Sequence, residues 1–228
     1  MLIDIHIPTD QGPEALNAAL EAARESRLDG VVLTWRGPMD PSLLPETPGL
    51  EVFHAAKILT EHGPLIAIPP HAESELNAAG WPESNETSGF EAVTAWCREQ
   101  GWALILTQPF MDSPMLTTRT TTPIASVDAV EVTHGAEPLL ARDLAIEAAL
   151  GEKRGIVASG GGAPQRIGRF STLLLPTSKG QSGLVRAIRQ GAVWVVETGI
   201  RKVELEGNDG SPKKRGRRRR RRKPAKSD

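Results

Sequence analysis

Six consecutive arginines, Arg217–Arg222, are the clearest indication of chemistry in this sequence. They belong to a basic tail, residues 211–228, which holds 11 of the chain's 27 lysines and arginines and one of its 28 acidic residues. The tail therefore has a net charge of +10 and the rest of the chain −11. Such a run binds nucleic-acid phosphates by releasing condensed counterions, with steep salt dependence and little sequence preference. The residues that we expect to contact nucleic acid are Lys213, Lys214, Arg215, Arg217, Arg218, Arg219, Arg220, Arg221, Arg222, Lys223 and Lys226.

The composition of the basic tail leaves other partners open. Its like charges repel one another and no apolar residue offsets the cost of ordering, so residues 207–228 are predicted to be a linker and a disordered tail. The tail could instead dock on the acidic remainder of the chain, or bind acidic lipid headgroups or an acidic protein. No aromatic residue interleaves with the arginines, so the tail itself offers no platform for stacking on unpaired bases.

A glycine run followed by arginines is a second candidate for anion binding. Gly160, Gly161 and Gly162 allow backbone N–H groups to approach an anion closely, and Arg169 adds positive charge. Arg36, at the end of another apolar run, could pair with a phosphate. The glycine run lacks the G-x-x-x-x-G-K-[ST] pattern of a P-loop, so a flexible turn is the alternative interpretation.

These candidates follow short apolar runs that alternate with amphipathic stretches, the pattern of an α/β fold. So many strand–helix units favour a barrel-like parallel sheet, in which chemistry takes place at the carboxyl ends of the strands. We expect one barrel domain over residues 1–206. The pattern predicts strands at residues 2–7, 29–35, 50–53, 64–68, 102–107, 127–133, 154–158, 172–175 and within 192–206, and helices at 13–27, 89–100, 138–150 and 182–190.

The composition excludes several classes of protein. Hydrophobic residues make up 39% of the chain, enough for a packed core. A single cysteine, Cys97, excludes an intrachain disulfide and a CxxC metal site. No apolar run approaches the roughly 20 residues that span a bilayer, and no signal-peptide pattern precedes the first strand. We therefore expect no membrane span and a cytoplasmic protein, associated with the nucleoid or with RNA if the tail binds as predicted.

Several of the predicted strand ends resemble, in order and spacing, motifs of the PHP (polymerase and histidinol phosphatase) superfamily. The resemblance covers roughly residues 1–175 and implies a distorted (β/α)7-type barrel, which in this family holds up to three metal ions for phosphoester hydrolysis. The segments that carry it are D-I-H-I-P-T from Asp4, L-D-G-V-V-L-T-W-R from Leu28, P-G-L-E-V from Pro48, A-L-I-L-T-Q-P-F from Ala103, D-A-V-E-V from Asp128 and A-S-G-G-G from Ala158.

Most positions at which the resemblance implies a metal ligand hold other residues here, namely Pro8, Trp35, Arg36, Gln108, Gly160 and Gly162. Proline, tryptophan and glycine side chains do not ligate metals, and an arginine puts a fixed positive charge where a cation belongs. His6 and Glu51 remain, and Asp4 is predicted to share a strand face with His6. The resemblance therefore implies at most one ion, such as manganese or zinc, at His6 and Glu51. The alternative is that both residues only form hydrogen bonds inside the barrel.

The sequence thus predicts a PHP-like barrel without catalysis or cofactor, which associates with the backbone of DNA or RNA through its tail. The alternative prediction is a residual metal-dependent phosphoesterase that holds one ion at His6 and Glu51. The sequence identifies no protein partner.

Overall fold

The computed structural model describes residues 1–36, 44–74, 89–107, 109–110, 124–135, 139–176 and 178–197. The predicted nucleic-acid contacts at residues 213–226, and Gln108, lie outside these described residues. Within them, none of the helices has the length and apolar character required to cross a membrane.

Short strands and helices alternate along the described residues, as the apolar pattern predicts. The strands are β1 (Leu2–Pro8), β2 (Gly30–Trp35), β3 (Glu51–Ile58), β4 (Leu65–Ile68), β5 (Ala103–Thr107), β6 (Ala129–Thr133), β7 (Gly155–Ala158), β8 (Phe170–Leu174) and β9 (Val193–Glu197). The helices are α1 (Pro13–Glu25), α2 (Phe90–Glu99), α3 (Leu139–Gly151) and α4 (Gly180–Arg189).

These strands form one sheet, in the order β7-β6-β5-β4-β3-β2-β1-β8-β9. Strands β1, β2 and β3 are parallel neighbours, and so are β5, β6 and β7. Strand β4 runs antiparallel between β3 and β5, and β8 runs antiparallel between β1 and β9. The sheet curls into a nearly closed barrel in which β7 contacts β9. The two strands are so close that a Cβ atom on Gly155 would lie 2.5 Å from Cγ2 of Val193.

The predicted α/β barrel is confirmed, with two differences in detail. The sheet is not parallel throughout, since β4 and β8 are antiparallel to their neighbours. For β4 the reason is that only residues 59–64 join it to β3, and a parallel connection needs a dozen residues or more. Strand β3 also continues to Ile58 instead of ending near Phe53. His54 and Lys57 interrupt the apolar run on which the shorter prediction rests.

The barrel interior is aliphatic and is closed at one end by α4. Ile3, Ile5 and Phe53 pack there with Leu184 and Ile188 of α4. Helix α1 packs on β1 and β2, α2 on β5, and α3 on β6 and β7. Because α4 lies across the amino ends of the strands, the carboxyl ends of β1, β3, β6 and β7 meet at the opposite end, which we call the barrel mouth.

Candidate functional site

Four polar side chains form a chain of close contacts at the barrel mouth, and we call them the mouth cluster. Nζ of Lys57 lies 3.3 Å from Nε2 of His6. Nδ1 of His6 lies 3.4 Å from Oε1 of Glu131. Oγ of Ser159 donates a hydrogen bond of 2.6 Å to the same carboxylate oxygen. The mouth cluster therefore joins a cation, an imidazole, a carboxylate and a hydroxyl.

Four separate strands bring the mouth cluster together. His6 lies in β1, Lys57 in β3 and Glu131 in β6, while Ser159 directly follows β7. Alternate residues of a strand share a face, and Phe53 and Lys57 are four positions apart in β3. Since Phe53 packs in the barrel interior, the alternation of β3 directs Lys57 inward as well.

The contact between Lys57 and His6 determines which nitrogen of the imidazole carries the proton. An ammonium group can only donate hydrogen bonds, so Nε2 of His6 accepts. The ring proton then lies on Nδ1, which faces Glu131 at 3.4 Å but makes no hydrogen bond to the described residues. His6 thus links the positive charge of Lys57 to the carboxylate.

Glu131 is a buried carboxylate that its neighbours keep ionised. Its side chain is 0% exposed, and burial alone would raise its pKa. His6, the hydroxyl of Ser159 and the charge of His134 together lower the pKa of Glu131 below its usual value. Its second oxygen, Oε2, has no hydrogen-bond partner among the described residues. The mouth cluster therefore contains a negative charge that requires positive charge nearby.

Lys57 is close enough to supply that charge. The pKa of Lys57 is lowered overall, because partial burial lowers it more than the charge of Glu131 raises it, and the charge of Arg36 lowers it further. Arg36 itself pairs with Asp10, with 3.5 Å between Nε and Oδ2. The two basic side chains near the mouth thus each have an acidic group within electrostatic range.

Asp4 lies beside the mouth cluster but is directed at backbone. Its two oxygens accept hydrogen bonds from the backbone N–H groups of Gly160, at 2.8 Å, and His6, at 3.2 Å. Burial, together with the charge of Glu131, raises the pKa of Asp4 to about 7. The register of β1 shifts between Asp4 and Ile7, so the regular alternation that predicts one shared face for Asp4 and His6 is interrupted.

The glycine run is packed tightly against the barrel. The N–H of Gly160 donates to Asp4, and that of Gly161 donates to Oγ of Ser159 at 3.1 Å. A Cβ atom on Gly160 would lie 2.7 Å from the backbone of Ile167, and one on Gly162, whose φ is +74°, would collide with Pro8. Close packing therefore accounts for glycine at these positions.

The predicted anion site at these glycines, Arg36 and Arg169 stays a prediction. The N–H groups of Gly160 and Gly161 donate to side chains of the protein itself. The guanidinium of Arg169 lies over the ring of Phe170, 5.3 Å from its centroid, and Arg36 pairs with Asp10. The arginines and the glycine run thus contact different groups.

The structure does not bring His6 and Glu51 together. Glu51 begins β3, at the amino end of the barrel, and its Oε1 accepts a hydrogen bond of 2.9 Å from the N–H of Gly180 in α4. His6 contacts Lys57 and Glu131 at the mouth. These contacts therefore do not support the prediction that His6 and Glu51 hold one ion together.

A divalent cation at His6 does not fit the contacts of the mouth cluster. Because Nε2 of His6 accepts from the ammonium of Lys57, its lone pair is already used, and the ammonium would repel a second cation there. Within the part of the chain that the structure describes, no group of three or more His, Cys, Asp or Glu side chains is arranged to hold a metal ion. The mouth cluster offers instead an internal positive charge beside a buried carboxylate.

Sequence reasoning missed three of the four members of the mouth cluster as site residues. Glu131 lies within the D-A-V-E-V segment, but it was not among the predicted ligands, and Ser159 has no flanking motif. Lys57 had the clearest signal, since it continues the inward alternation of Phe53 and Ala55. A lysine in the inward register of a barrel strand requires a partner.

Comparison with known proteins supports the fold. No family model and no curated protein matches the chain. PsfC from Pseudomonas syringae is similar, with a TM-score of 0.64, 12% identity, and coverage of 87% of this chain and 91% of PsfC. A two-domain protein of Bacteroides vulgatus is also similar, and its name says that it contains a predicted PHP-like metal-dependent phosphoesterase. Its TM-score is 0.58 at 14% identity, and the match covers 86% of this chain and 64% of the Bacteroides chain.

A third similar structure, from Bifidobacterium adolescentis, is named a "putative metal-dependent phosphoesterase". Its TM-score is 0.52 at 13% identity, and the match covers 70% of this chain and 86% of the other. The barrel is therefore PHP-like in fold, as the sequence motifs predict. At 14% identity or less, this similarity concerns the fold alone.

Proposed function

We propose that this chain is a PHP-like barrel protein that lacks metal-dependent catalysis and associates with nucleic acid through its basic tail. The observation that supports the first part is the ammonium of Lys57, 3.3 Å from Nε2 of His6. It places a fixed donor and a positive charge at the imidazole nitrogen that a metal ion would need.

The chemistry of phosphoester hydrolysis makes this contact important. A catalytic metal ion polarises a phosphoryl oxygen and lowers the pKa of a water molecule in an open coordination position. An ammonium group supplies charge but has no coordination position for water. In the mouth cluster the ammonium of Lys57 therefore balances the charge of the carboxylate, but it cannot generate a metal-bound nucleophile.

The second part of the proposal rests on the sequence of the basic tail. Its net charge of +10 is attached to a remainder of −11, so the globular part repels a polyanion that the tail attracts. Arginine guanidinium groups contact phosphates in pairs of hydrogen bonds, for DNA and RNA alike. The proposed partner is thus the nucleic-acid backbone, without preference for base sequence.

Gel-shift titration of the full chain tests the tail. The variant replaces all six residues Arg217–Arg222 by glutamine, and binding is measured with single-stranded RNA and with duplex DNA. Contact with six or more phosphates predicts that the affinity of the unaltered chain falls about a thousandfold between about 50 and 200 mM salt. In the variant, the slope of log affinity against log salt should be smaller by up to about 5.

A matched control removes six exposed positive charges from the barrel instead. The control replaces Arg24, Arg27, Lys153, Lys179, Arg186 and Arg189 by glutamine. We expect it to bind like the unaltered chain. Equal binding by the tail variant and the unaltered chain would exclude the tail as the nucleic-acid contact.

A residual metal-dependent phosphoesterase is the second candidate, favoured by two structural neighbours that are named as such. Metal content of the purified chain, and hydrolysis of bis(p-nitrophenyl) phosphate in added manganese or zinc, distinguish the two candidates. Turnover that disappears in His6→Ala, with one bound ion per chain, would favour the phosphoesterase. Turnover that is equal in the unaltered chain and in His6→Ala, without bound metal in either protein, would favour the non-catalytic barrel.

A further inference from the structure

We infer that Lys57 is an internal replacement for a divalent cation. Its ammonium neutralises the acidic groups at the barrel mouth, and removing that charge makes the mouth cluster a site for manganese or zinc. The inference rests on the proposed function in one respect, since both assume that the unaltered chain holds no metal ion at His6.

The first argument is the charge that surrounds Glu131. Glu131 is buried, and its Oε2 has no hydrogen-bond partner among the described residues. The carboxyl of Asp4 is also buried and lies close enough for the two acidic groups to influence each other. Two carboxyl groups in a buried site need positive charge or many hydrogen-bond donors. Lys57 is a source of that charge from β3, a strand that pairs with neither β1 nor β6 and reaches the same barrel mouth.

The second argument is the atom that Lys57 contacts. Its Nζ lies 3.3 Å from Nε2 of His6, the nitrogen whose lone pair a metal ion would use. An ammonium and a metal ion therefore compete for the same lone pair. Since Lys57 is part of the chain, its ammonium is held next to this nitrogen, whereas a metal ion must bind from solution.

The third argument is the set of donors that remains without the ammonium. Nε2 of His6 would be available as a ligand, and the carboxylate of Glu131, which lies beside the other ring nitrogen, has an oxygen without a hydrogen-bond partner among the described residues. Imidazole and carboxylate together suit manganese and zinc. A glutamate at position 57 would add a carboxylate ligand from the strand position that now carries the cation.

The experiment compares four full-length proteins by thermal unfolding and by metal content, with and without manganese or zinc. They are the unaltered chain, Lys57→Glu, Lys57→Met and Lys57→Arg. We expect Lys57→Glu to unfold at a lower temperature than the unaltered chain. Millimolar metal should raise its Tm by about 5 °C or more, with one ion bound per chain. Lys57→Met should show a smaller rise, and the two proteins that keep the charge none.

The control is the double variant Lys57→Glu with His6→Ala, in which the rise should disappear. A Tm that metal leaves unchanged in both Lys57→Glu and Lys57→Met would overturn the inference, as would one His6-dependent ion in the unaltered chain. If Lys57→Glu does not fold, Lys57→Met decides alone. If the unaltered chain did not bind nucleic acid but the metal and unfolding results were as expected, only the proposed tail function would be contradicted.

Discussion

The carboxylate of Glu51 accepts a hydrogen bond from the backbone N–H of Gly180, 2.9 Å away, although the two residues are 129 positions apart. The contact joins the start of β3 to the first residue of α4. The first N–H groups of a helix have no partner within the helix, and its positive dipole end favours a negative charge. Glu51 therefore holds in place the helix that closes the amino end of the barrel.

Replacing Glu51 tests this structural role. We expect Glu51→Ala to lower the free energy of unfolding by about 1–2 kcal/mol, because a charged hydrogen bond to the helix is lost. Urea unfolding followed by circular dichroism measures the change, and the exposed Glu46→Ala is the control. Equal midpoints for the two variants would show that the contact with Gly180 adds nothing to stability.

Gly160 is predicted to tolerate no side chain. A Cβ atom there would lie 2.7 Å from the backbone of Ile167, so Gly160→Ala should lower the free energy of unfolding by about 1–3 kcal/mol. Gly89, with φ −60° and no atom within 4 Å of its Cβ position, is the matched control. Thermal unfolding of both variants tests the prediction, which fails if Gly160→Ala is as stable as Gly89→Ala.

Asp4 should make the stability of the fold depend on pH. Burial and the charge of Glu131 raise the pKa of Asp4 from 3.8 to about 7, so the folded state holds its proton more tightly than the unfolded chain. This contribution is complete below about pH 4, decreases as the pH rises, and is lost above pH 7. Over that range it amounts to at most about 4 kcal/mol.

Comparison with Asp4→Asn isolates this effect. The amide does not titrate, whereas the other ionisable groups are the same in both proteins. The unaltered chain should therefore lose stability relative to the variant between about pH 4 and pH 7. Urea midpoints measured across this range provide the test, and a difference that stays constant with pH would contradict the raised pKa.

Cys97 should be chemically inert in the folded protein. Cys97 lies on α2, and it is 0% exposed in the core between that helix and the sheet. Burial, with the charge of Asp128, raises the pKa of its thiol to about 12. Because the thiolate is the reactive form, iodoacetamide at pH 8 should label the unfolded protein once and the native protein not at all. Rapid labelling of the native protein would show that this part of the core opens.

Much of the fold follows from local patterns that are visible in the sequence. The run Leu2–Ile7 and the spacing of Leu16, Ala19, Leu20 and Ala23 predict β1 and α1, because burial of one face imposes these periods. The antiparallel course of β4 was not predicted. The short connection of residues 59–64 contains the signal, since it is too short for a crossover.

The site was predicted less well, because spacing along one chain does not specify contacts between strands. His6 was identified by its motif, yet its partners Lys57 and Glu131 are 51 and 125 positions away. The same reasoning predicts Glu51 as a ligand, whereas the structure places it against α4. A motif identifies a residue type at a strand end, but not the group that faces it.

The sequence by itself determined the alternation of strands and helices, the aliphatic core and the separation of a basic tail from an acidic globule. These properties depend on residue type and near neighbours, and hydrophobic burial and charge act on them directly. Only the tertiary structure decided that the ammonium of Lys57 contacts the imidazole of His6. Barrel closure brings distant strands to one mouth, and the register of each strand selects which side chains meet there.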